Sequence, residues 1–517
     1  MPRELKVKVN DGKQIRLGAI MSYFAIGFNI LSGLIYTPWM VSQIGQSDYG
    51  LYTLAISLIS FFAIDFGLGS AVSRFLSRYL VTNDLVGAKR FLGITYKLYL
   101  YITIFILFLL IVVYFQIENI YTELTITEVS KLKVIFCISG FFSIISFPLM
   151  PLNGILISNE RFIFSKFVDL MQKVLNVILM IAALVVGYKL YAVVIVNAFV
   201  GIIAIVIKLV YIKKYTKTEV DFSYKDKSLL KEIFSFSSWT TIISLSQRLI
   251  LNITPTILGA FAGSIQISLF SIGMTIEGYT WTISNALGGL FLPKVTRMTL
   301  NNNSIDEIEN LMIKVGRLQL LIAGLIIVVF GSMGQEFLKL WMGENFADSY
   351  VVALLLIVPC IISLTQQIAN TALIAINEIR YRAIASLTVA GTSLILSIIL
   401  SRSFGAIGSA LAIFIGNIIG IVIIMNVVYY KVLRINIFRF FRECHLKMGL
   451  PLILTFFIGL VAQHIFPVNN LLLFMIKVVI VGLIYFVFMW LISFNNYEKN
   501  LFLGGLIKVH NISKNRR

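Results

Sequence analysis

Charged residues, histidine and cysteine are scarce in this chain, and each shortage excludes a class of site. Only 13% of the 517 residues are charged, and there are three His and three Cys residues. Cys137, Cys360 and Cys444 form no CxxC pair and lie near no His/Cys cluster. We therefore expect no disulfide framework, no metal site and no metal cofactor.

Motifs for nucleotide chemistry are missing as well. The sequence contains no P-loop, DxD or GxSxG motif, so we expect no direct use of ATP and no cofactor. A cleavable signal peptide is not expected either, because the basic leader 1–16 precedes a run long enough to span a membrane.

Apolar residues are abundant, and their arrangement predicts the fold class. They make up 58% of the chain, and the mean hydropathy is +0.92. They occur in runs of about 20 residues, the length that an α-helix needs to cross about 30 Å of hydrocarbon. The sequence therefore predicts an all-α polytopic membrane protein.

Apolar windows predict about fourteen spans. They are expected near 17–41, 49–72, 97–115, 133–157, 164–186, 190–212, 233–258, 266–292, 315–334, 350–376, 383–401, 405–430, 448–466 and 469–494.

Lysine and arginine are distributed unequally between the two sides of these spans. Of the 43 such residues, 35 lie in or next to the leader, the even-to-odd loops and the tail, and five lie on the other side. The positive-inside rule makes the basic side cytoplasmic, with both termini inside. The net charge of +19 then reflects topology and attraction to anionic headgroups, and it requires no nucleic-acid partner.

An internal repeat appears when the sequence is shifted by 218 residues. Asn159-Glu160 then aligns with Asn377-Glu378, and Gly187 aligns with Gly405. Six spans per repeat is an even number, so both halves have the same orientation. The predicted domains are a leader (1–16), an N-terminal six-helix lobe (17–212), a basic linker (213–232), a C-terminal six-helix lobe (233–430) and a terminal segment (431–517) with an interfacial connector, two extra helices and a basic tail.

The fourteen spans, the duplicated halves and two motifs resemble the oligosaccharide flippases. The motifs are "IGQSDYGLYTLAIS" after span 1 and "DFGLGSAVSRFLSRYL" at the end of span 2. The resembled proteins are the Wzx-type O-antigen and capsule-unit transporters. Their superfamily, the multidrug/oligosaccharidyl-lipid/polysaccharide exporters, also holds drug/cation antiporters and the lipid II flippase.

This resemblance implies a function and partners. It implies that the chain flips an undecaprenyl-pyrophosphate-linked oligosaccharide from the inner to the outer leaflet of the bacterial cytoplasmic membrane, by alternating access between two lobes, for lipopolysaccharide or other surface polysaccharide. Glycosyltransferases and a polysaccharide polymerase are the implied partners. The lipid II branch resembles the chain less, because span 1 has no interior cation.

Ionisable residues inside spans are the candidate functional residues, because a charge there is costly. Arg248 lies in span 7 on a polar stripe with Ser244 and Asn252, and we expect these residues and Asn29 of span 1 to line a pyrophosphate and sugar cavity. The alternative is a structural ion pair of Arg248 with Glu277.

Acidic residues inside spans suggest ion coupling or a structural role. Glu277 is interpreted as a counter-ion or as a relay for H⁺ or Na⁺, and Asp65 shares this interpretation with a structural alternative. Asp169 and Lys173 are four residues apart on one helix face, so we expect a structural ion pair.

Two other functions remain open. A drug/cation antiporter of the same superfamily would suit an acidic cavity better than Arg248. A membrane oligosaccharide polymerase or ligase would need a large folded loop outside the membrane, and the longest outer connectors, 116–132 and 335–349, are short. The sequence therefore favours a transporter over an enzyme.

Overall fold

The computed structural model describes residues 11–216, 218–224, 226–285, 291–300 and 305–503. Among these residues every regular element is helical, which confirms the predicted all-α class. Residues 1–10 of the predicted leader and residues 504–517 of the predicted basic tail lie outside the described residues.

The described residues of the first half of the chain form ten α-helices. They are α1 (Asp11–Ile44), α2 (Gln46–Phe62), α3 (Leu68–Val81), α4 (Leu85–Ile120), α5 (Ile126–Ser146), α6 (Pro151–Ser158), α7 (Phe162–Val185), α8 (Lys189–Tyr215), α9 (Lys227–Leu251) and α10 (Ile253–Phe261), with a 3₁₀ turn at Phe147–Leu149.

The second half forms ten more. They are α11 (Ser264–Asn285), α12 (Leu292–Leu300), α13 (Ile305–Met342), α14 (Ser349–Thr365), α15 (Gln367–Ala375), α16 (Arg380–Asn417), α17 (Met425–Lys431), α18 (Ile437–Phe441), α19 (Lys447–Ile465) and α20 (Leu471–Phe488). A 3₁₀ turn occupies Glu344–Phe346, and π-helical turns occupy Ile418–Ile424, Arg442–Leu446 and Met489–Ser493.

Nine helical segments of the described chain are long and apolar enough to cross a membrane, and α14 with α15, bent by 55°, makes a tenth. One of the nine, Arg380–Lys431, has 52 residues. At 1.5 Å per residue it would be about 78 Å long, more than twice the hydrocarbon thickness. Gly405 has non-helical φ and ψ of 52° and −130°, and this kink falls between predicted spans 11 and 12. The count of fourteen stays a prediction.

Several predicted spans are broken rather than continuous, and two of the breaks contain predicted site residues. Predicted span 49–72 consists of α2 and α3, separated by residues 63–67, where Phe66 and Gly67 have positive φ. Asp65 accepts a hydrogen bond from the backbone N–H of Gly67 at 3.2 Å, which supports this turn. Predicted span 233–258 is interrupted at Asn252, between α9 and α10. Averaged hydropathy does not detect such breaks, because the flanking residues remain apolar.

The chain forms two compact units. The first comprises Met1–Ser271 and Ser386–Ile413, and the second comprises Ile272–Ala385 and Phe414–Arg517. The boundaries of these units differ from those of the predicted lobes, and the lobes stay a prediction.

Local geometry recurs at nearly the shift of the internal repeat. Gly45 and Gly263, 218 residues apart, have φ of 93° and 84° and precede α2 and α11. The last turns of α6 and α15 also share a pattern: the N–H of Arg161 donates to Leu156 O at 2.9 Å, and the N–H of Glu378 donates to Leu373 O at 2.8 Å. These similarities support a duplication.

Within the first unit, Glu128 joins the starts of three helices. Its Oε1 accepts hydrogen bonds from the hydroxyls of Ser47 in α2 and Ser264 in α11, both at 2.5 Å. Its Oε2 accepts from the backbone N–H of Thr125, 2.9 Å away, which completes the capping box of α5. A Cβ on Gly50 would lie 2.1 Å from the Ser264 carbonyl oxygen, so α2 and the start of α11 approach closely. We call this cluster the Glu128 junction.

Candidate functional site

Arg248 lies in the last turn of α9, just before the break at Asn252, and is half-buried. Its guanidinium donates a hydrogen bond to the carbonyl oxygen of Ser60, in the last turn of α2. The last carbonyls of a helix lack partners within the helix and carry its negative partial charge. Arg248 therefore caps the broken end of α2 within the first unit.

The carboxylate whose charge acts on Arg248 is Asp65, in the break that follows α2. Among the described residues of the first unit, no carboxylate lies within ion-pair distance of Arg248. A guanidinium has five N–H donors, and the single contact with Ser60 leaves most of them available. The charge of Arg248 is thus only partly compensated.

Asp65 lines a cavity of about 650 Å³ within the first unit. Its walls also include Ser73, Arg74, Tyr99 and Asn153, so a carboxylate, a guanidinium, two hydroxyls and an amide face a common space. The sequence marks Asp65 as an ionisable residue inside a span and Asn153 as a polar cavity candidate, but it does not predict that these five residues share one cavity. The residues other than Asp65 come from α3, α4 and α6, and the hydropathy pattern carries no signal that they meet.

Asp169 forms an ion pair, but with a residue other than the predicted Lys173. The ammonium of Lys208 in α8 lies 2.8 Å from Asp169 Oδ1 and also donates to Asn153 Oδ1 at 2.9 Å. Lys208 is buried, and a buried ammonium needs several acceptors. Asp169 therefore pairs with Lys208 on the neighbouring helix α8. Lys173 has no such partner among the described residues and lines a second cavity with Asp169.

The other predicted cavity residues lie on two helices. Ser244 is half-buried, one turn before Arg248 on α9, and Asn252 is half-buried at the end of that helix. Ser244 and Arg248 therefore lie one turn apart on α9, and Asn252 follows in the break after that helix. Asn29 is exposed on α1. Their part in binding stays a prediction.

Glu277 lies in α11, within the second unit. Its Oε1 accepts a hydrogen bond from the indole N–H of Trp281 at 3.0 Å, and the Cys360 thiol lies 3.8 Å away. Among the described residues, none of the cations of this unit is within ion-pair distance of Glu277. The predicted pairing of Glu277 with Arg248 stays a prediction.

Two buried ion pairs in the second unit are not predicted by the sequence. Arg317 is paired with Glu498, with Nε and Oε1 2.5 Å apart, and Lys477 is paired with Glu336 at 2.6 Å. Their partners are 181 and 141 residues apart in the chain, so no local pattern relates them. Lys477 lies close enough to an end of predicted span 469–494 for a lysine to reach the membrane surface, but its side chain is buried.

Comparison with known proteins identifies the family. The model of the polysaccharide biosynthesis protein family matches residues 16–296, more than half of the chain, and the chain belongs to this family. It is also 22% identical over 386 residues to the uncharacterized membrane protein EpsK of Bacillus subtilis (strain 168), which covers 71% of this chain and 72% of that protein.

Solved structures share the fold. The lipid II flippase MurJ in an inward closed conformation has a TM-score of 0.70 and 17% identity, covering 95% of this chain and 99% of that one. An inward-facing multidrug resistance MATE family transporter of the MOP superfamily has a TM-score of 0.64 and 14% identity, covering 80% and 99%. At these identities the likeness shows the fold alone. Together with the family match, it confirms the resemblance seen in the sequence, and it makes the chain a multi-pass membrane protein.

Proposed function

We propose that this protein is a flippase, not an enzyme, which moves an undecaprenyl-pyrophosphate-linked oligosaccharide from the inner to the outer leaflet of the bacterial cytoplasmic membrane. Family membership links the chain to polysaccharide biosynthesis. The fold shared with a lipid II flippase and multidrug transporters supports transport by alternating access. The product would enter O-antigen, lipopolysaccharide or another surface polysaccharide, beside glycosyltransferases and a polymerase.

The observation that carries this proposal is the incompletely compensated charge of Arg248. An arginine inside a spanning helix costs about 2.5–3.5 kcal/mol on insertion scales. The single contact with Ser60 and the nearby charge of Asp65 offset part of that cost. A pyrophosphate would engage the remaining forked donors, because phosphate oxygens match the guanidinium geometry. Ser244 and Asn252 would add hydrogen bonds to the glycan.

Arg248→Ala and Arg248→Lys test this role in cells that lack the native gene. Arg248→Ala should reach the membrane in normal amount while surface polysaccharide falls more than about tenfold, since a charge-assisted hydrogen bond is lost. Arg248→Lys should keep partial export, because the charge remains without the fork. Gln247→Ala, at the exposed neighbouring position, is the matched control and should export normally.

The contrary outcome comes from the double variant Arg248→Ala with Glu277→Gln. If it exports normally, the arginine serves a structural ion pair and the substrate-binding role is refuted. Efflux of cationic dyes that depends on Glu277 and is insensitive to Arg248→Ala would favour a drug/cation antiporter instead.

Transport would draw on a gradient of H⁺ or Na⁺. The chain has no nucleotide-binding motif. Glu277 and Asp65 each lack a cation at ion-pair distance among the described residues of their own unit. Collapsing both gradients in reconstituted vesicles should stop flipping, and unchanged rates would refute ion coupling.

Both termini would lie in the cytoplasm. The 35-to-5 distribution of Lys and Arg supports this orientation. Cysteines introduced at residues 218–224 should resist an impermeant thiol reagent added to intact cells, and those at 122–125 should react. Labelling in the opposite pattern would invert the topology.

A further inference from the structure

A second polar cavity lies between α1 and α7 in the first unit, and its lining includes none of the residues that the proposed function uses. It has a volume of about 460 Å³, and the α7 side chains that line it include Lys166, Asp169, Lys173 and Asn176. These positions recur at intervals of three and four residues, so they form a stripe on one face of α7.

The charges of this cavity do not balance. Asp169 is neutralised by Lys208, 2.8 Å away. Lys166 and Lys173 are exposed and have no hydrogen-bond or ion-pair partner among the described residues. Lys173 lies eleven residues after the start of α7, about 16 Å along the helix, or near half the hydrocarbon thickness. An unpaired lysine at this depth is retained where it meets an anion or a water-filled path.

An independent observation concerns Asn176, at the end of the stripe. Its Nδ2 donates to Asn197 Oδ1 at 2.6 Å, while its own Oδ1 is buried and lacks a hydrogen-bond partner among the described residues. A buried acceptor without a donor costs free energy, and a ligand hydroxyl would satisfy it. The cavity therefore offers two cations and one free acceptor.

An apolar cavity of about 520 Å³ continues along the same two helices. Val177 and Ile181 of α7 line it, directly after Asn176, together with Phe28, Leu31 and Ile35 of α1. A phosphate in the polar cavity would thus place an attached hydrocarbon chain beside an apolar wall.

We propose that the groove between α1 and α7 binds an amphiphile in which a phosphate, attached to a hydroxyl-bearing group, lies between Lys166 and Lys173 while its apolar chain occupies the adjoining cavity. This chemistry is shared by polyprenyl-linked glycans and by glycerophospholipids. The inference rests on the proposed function only if the ligand is a polyprenyl-linked glycan. In that case the groove would be an additional binding site for the transported substrate.

Equilibrium binding to the purified full chain in detergent tests the proposal. The probes are undecaprenyl phosphate, phosphatidylglycerol and neutral phosphatidylcholine. The double variant Lys166→Gln, Lys173→Gln should bind undecaprenyl phosphate about tenfold or more weakly than wild type, because two charge-assisted contacts are lost. The double variant Lys213→Gln, Lys214→Gln, an equal change of charge at exposed positions of α8, is the matched control and should bind like wild type.

Competition identifies the source of the phosphate. Phosphatidylglycerol that displaces undecaprenyl phosphate at equal concentration indicates bulk lipid, and failure to displace it indicates a polyprenyl ligand; both outcomes support the phosphate site. Unchanged affinity of the double lysine variant overturns it. Inorganic phosphate competing as well as the lipid would overturn the amphiphile assignment.

Arg248→Ala in the same assay separates this site from the proposed function. Undecaprenyl phosphate can bind both at Arg248 and in the groove, so the double lysine change should weaken its binding by about the same factor in the Arg248→Ala background as in the wild type. Normal export by Arg248→Ala would refute the role of Arg248 and leave the lysine result unaffected.

Discussion

Arg248 and Arg317 are both arginines in apolar helices, one in each compact unit, yet their surroundings differ. Arg317 is buried, and its donors reach both oxygens of Glu498 and the carbonyl oxygens of Glu443 and Ser493 at 2.5–2.9 Å. Arg248 is half-buried and donates to one carbonyl oxygen. A guanidinium with four hydrogen bonds to three residues holds helices together, whereas one with most of its donors free can accept a ligand.

The lysines of the first unit divide in the same way. Lys208 is buried and bonded to Asp169 and Asn153. Lys166 and Lys173 face a cavity without partners among the described residues. The number of engaged donors, rather than depth in the membrane, therefore separates structural cations from candidate binding cations.

The largest expected effect is loss of folded protein in Arg317→Ala. Removing one partner of a buried ion pair costs about 3–5 kcal/mol, because the other charge stays buried. That is a large fraction of a typical stability of about 5–15 kcal/mol. Membrane abundance and the melting temperature in detergent should both fall. Arg248→Ala should retain most of its abundance, and equal losses in the two variants would break the comparison.

A smaller effect is expected at Asp169. A double-mutant cycle of Lys208→Met with Asp169→Asn should give a coupling free energy of about 0.5–3 kcal/mol, as for residues in one network. The parallel cycle with Lys173→Met should give a value near zero. Thermal unfolding in detergent measures both, and a larger coupling for Lys173 would restore the pairing expected from the sequence.

The smallest effect is expected where a pair is exposed. A hydrogen bond from Lys89 lowers the pKa of Glu219 from its usual value, and both side chains are largely exposed. A carboxylate with a lowered pKa stabilises the fold above its unfolded pKa, and this contribution is lost as the pH falls through the folded pKa. Because solvent screens this pair, Glu219→Gln should have the same melting temperature as the wild type at both pH 7 and pH 4. A difference in melting temperature between the variant and the wild type at pH 7 that disappears at pH 4 would contradict this expectation.

The sequence predicted the helical class and the approximate position of most long apolar helices, because each span must satisfy its own backbone hydrogen bonds. It did not predict the breaks at Asp65 and Asn252, where polar contacts with neighbouring segments replace helix bonds. Arg248 is predictable as a candidate site residue because it is a cation within an apolar run of the sequence.

Contacts between helices explain the remaining differences. Lys173 was chosen as the partner of Asp169 because it lies one helical turn away, but Lys208, 39 residues further along, provides the observed ion pair. Glu498 lies in a segment that was interpreted as an interfacial tail. In both cases packing decides the partner, and packing joins residues that are distant in the sequence.

At the Glu128 junction a single oxygen, Oε1, receives the hydroxyls of both Ser47 and Ser264. The two contacts are therefore not independent, since one rotation of the Glu128 side chain releases both. Because the two hydroxyls also lie 3.0 Å apart, Ser47, Ser264 and Glu128 form one closed network. A movement of α2 away from the start of α11 would therefore have to break the contact between the serines and at least one of their contacts with Glu128.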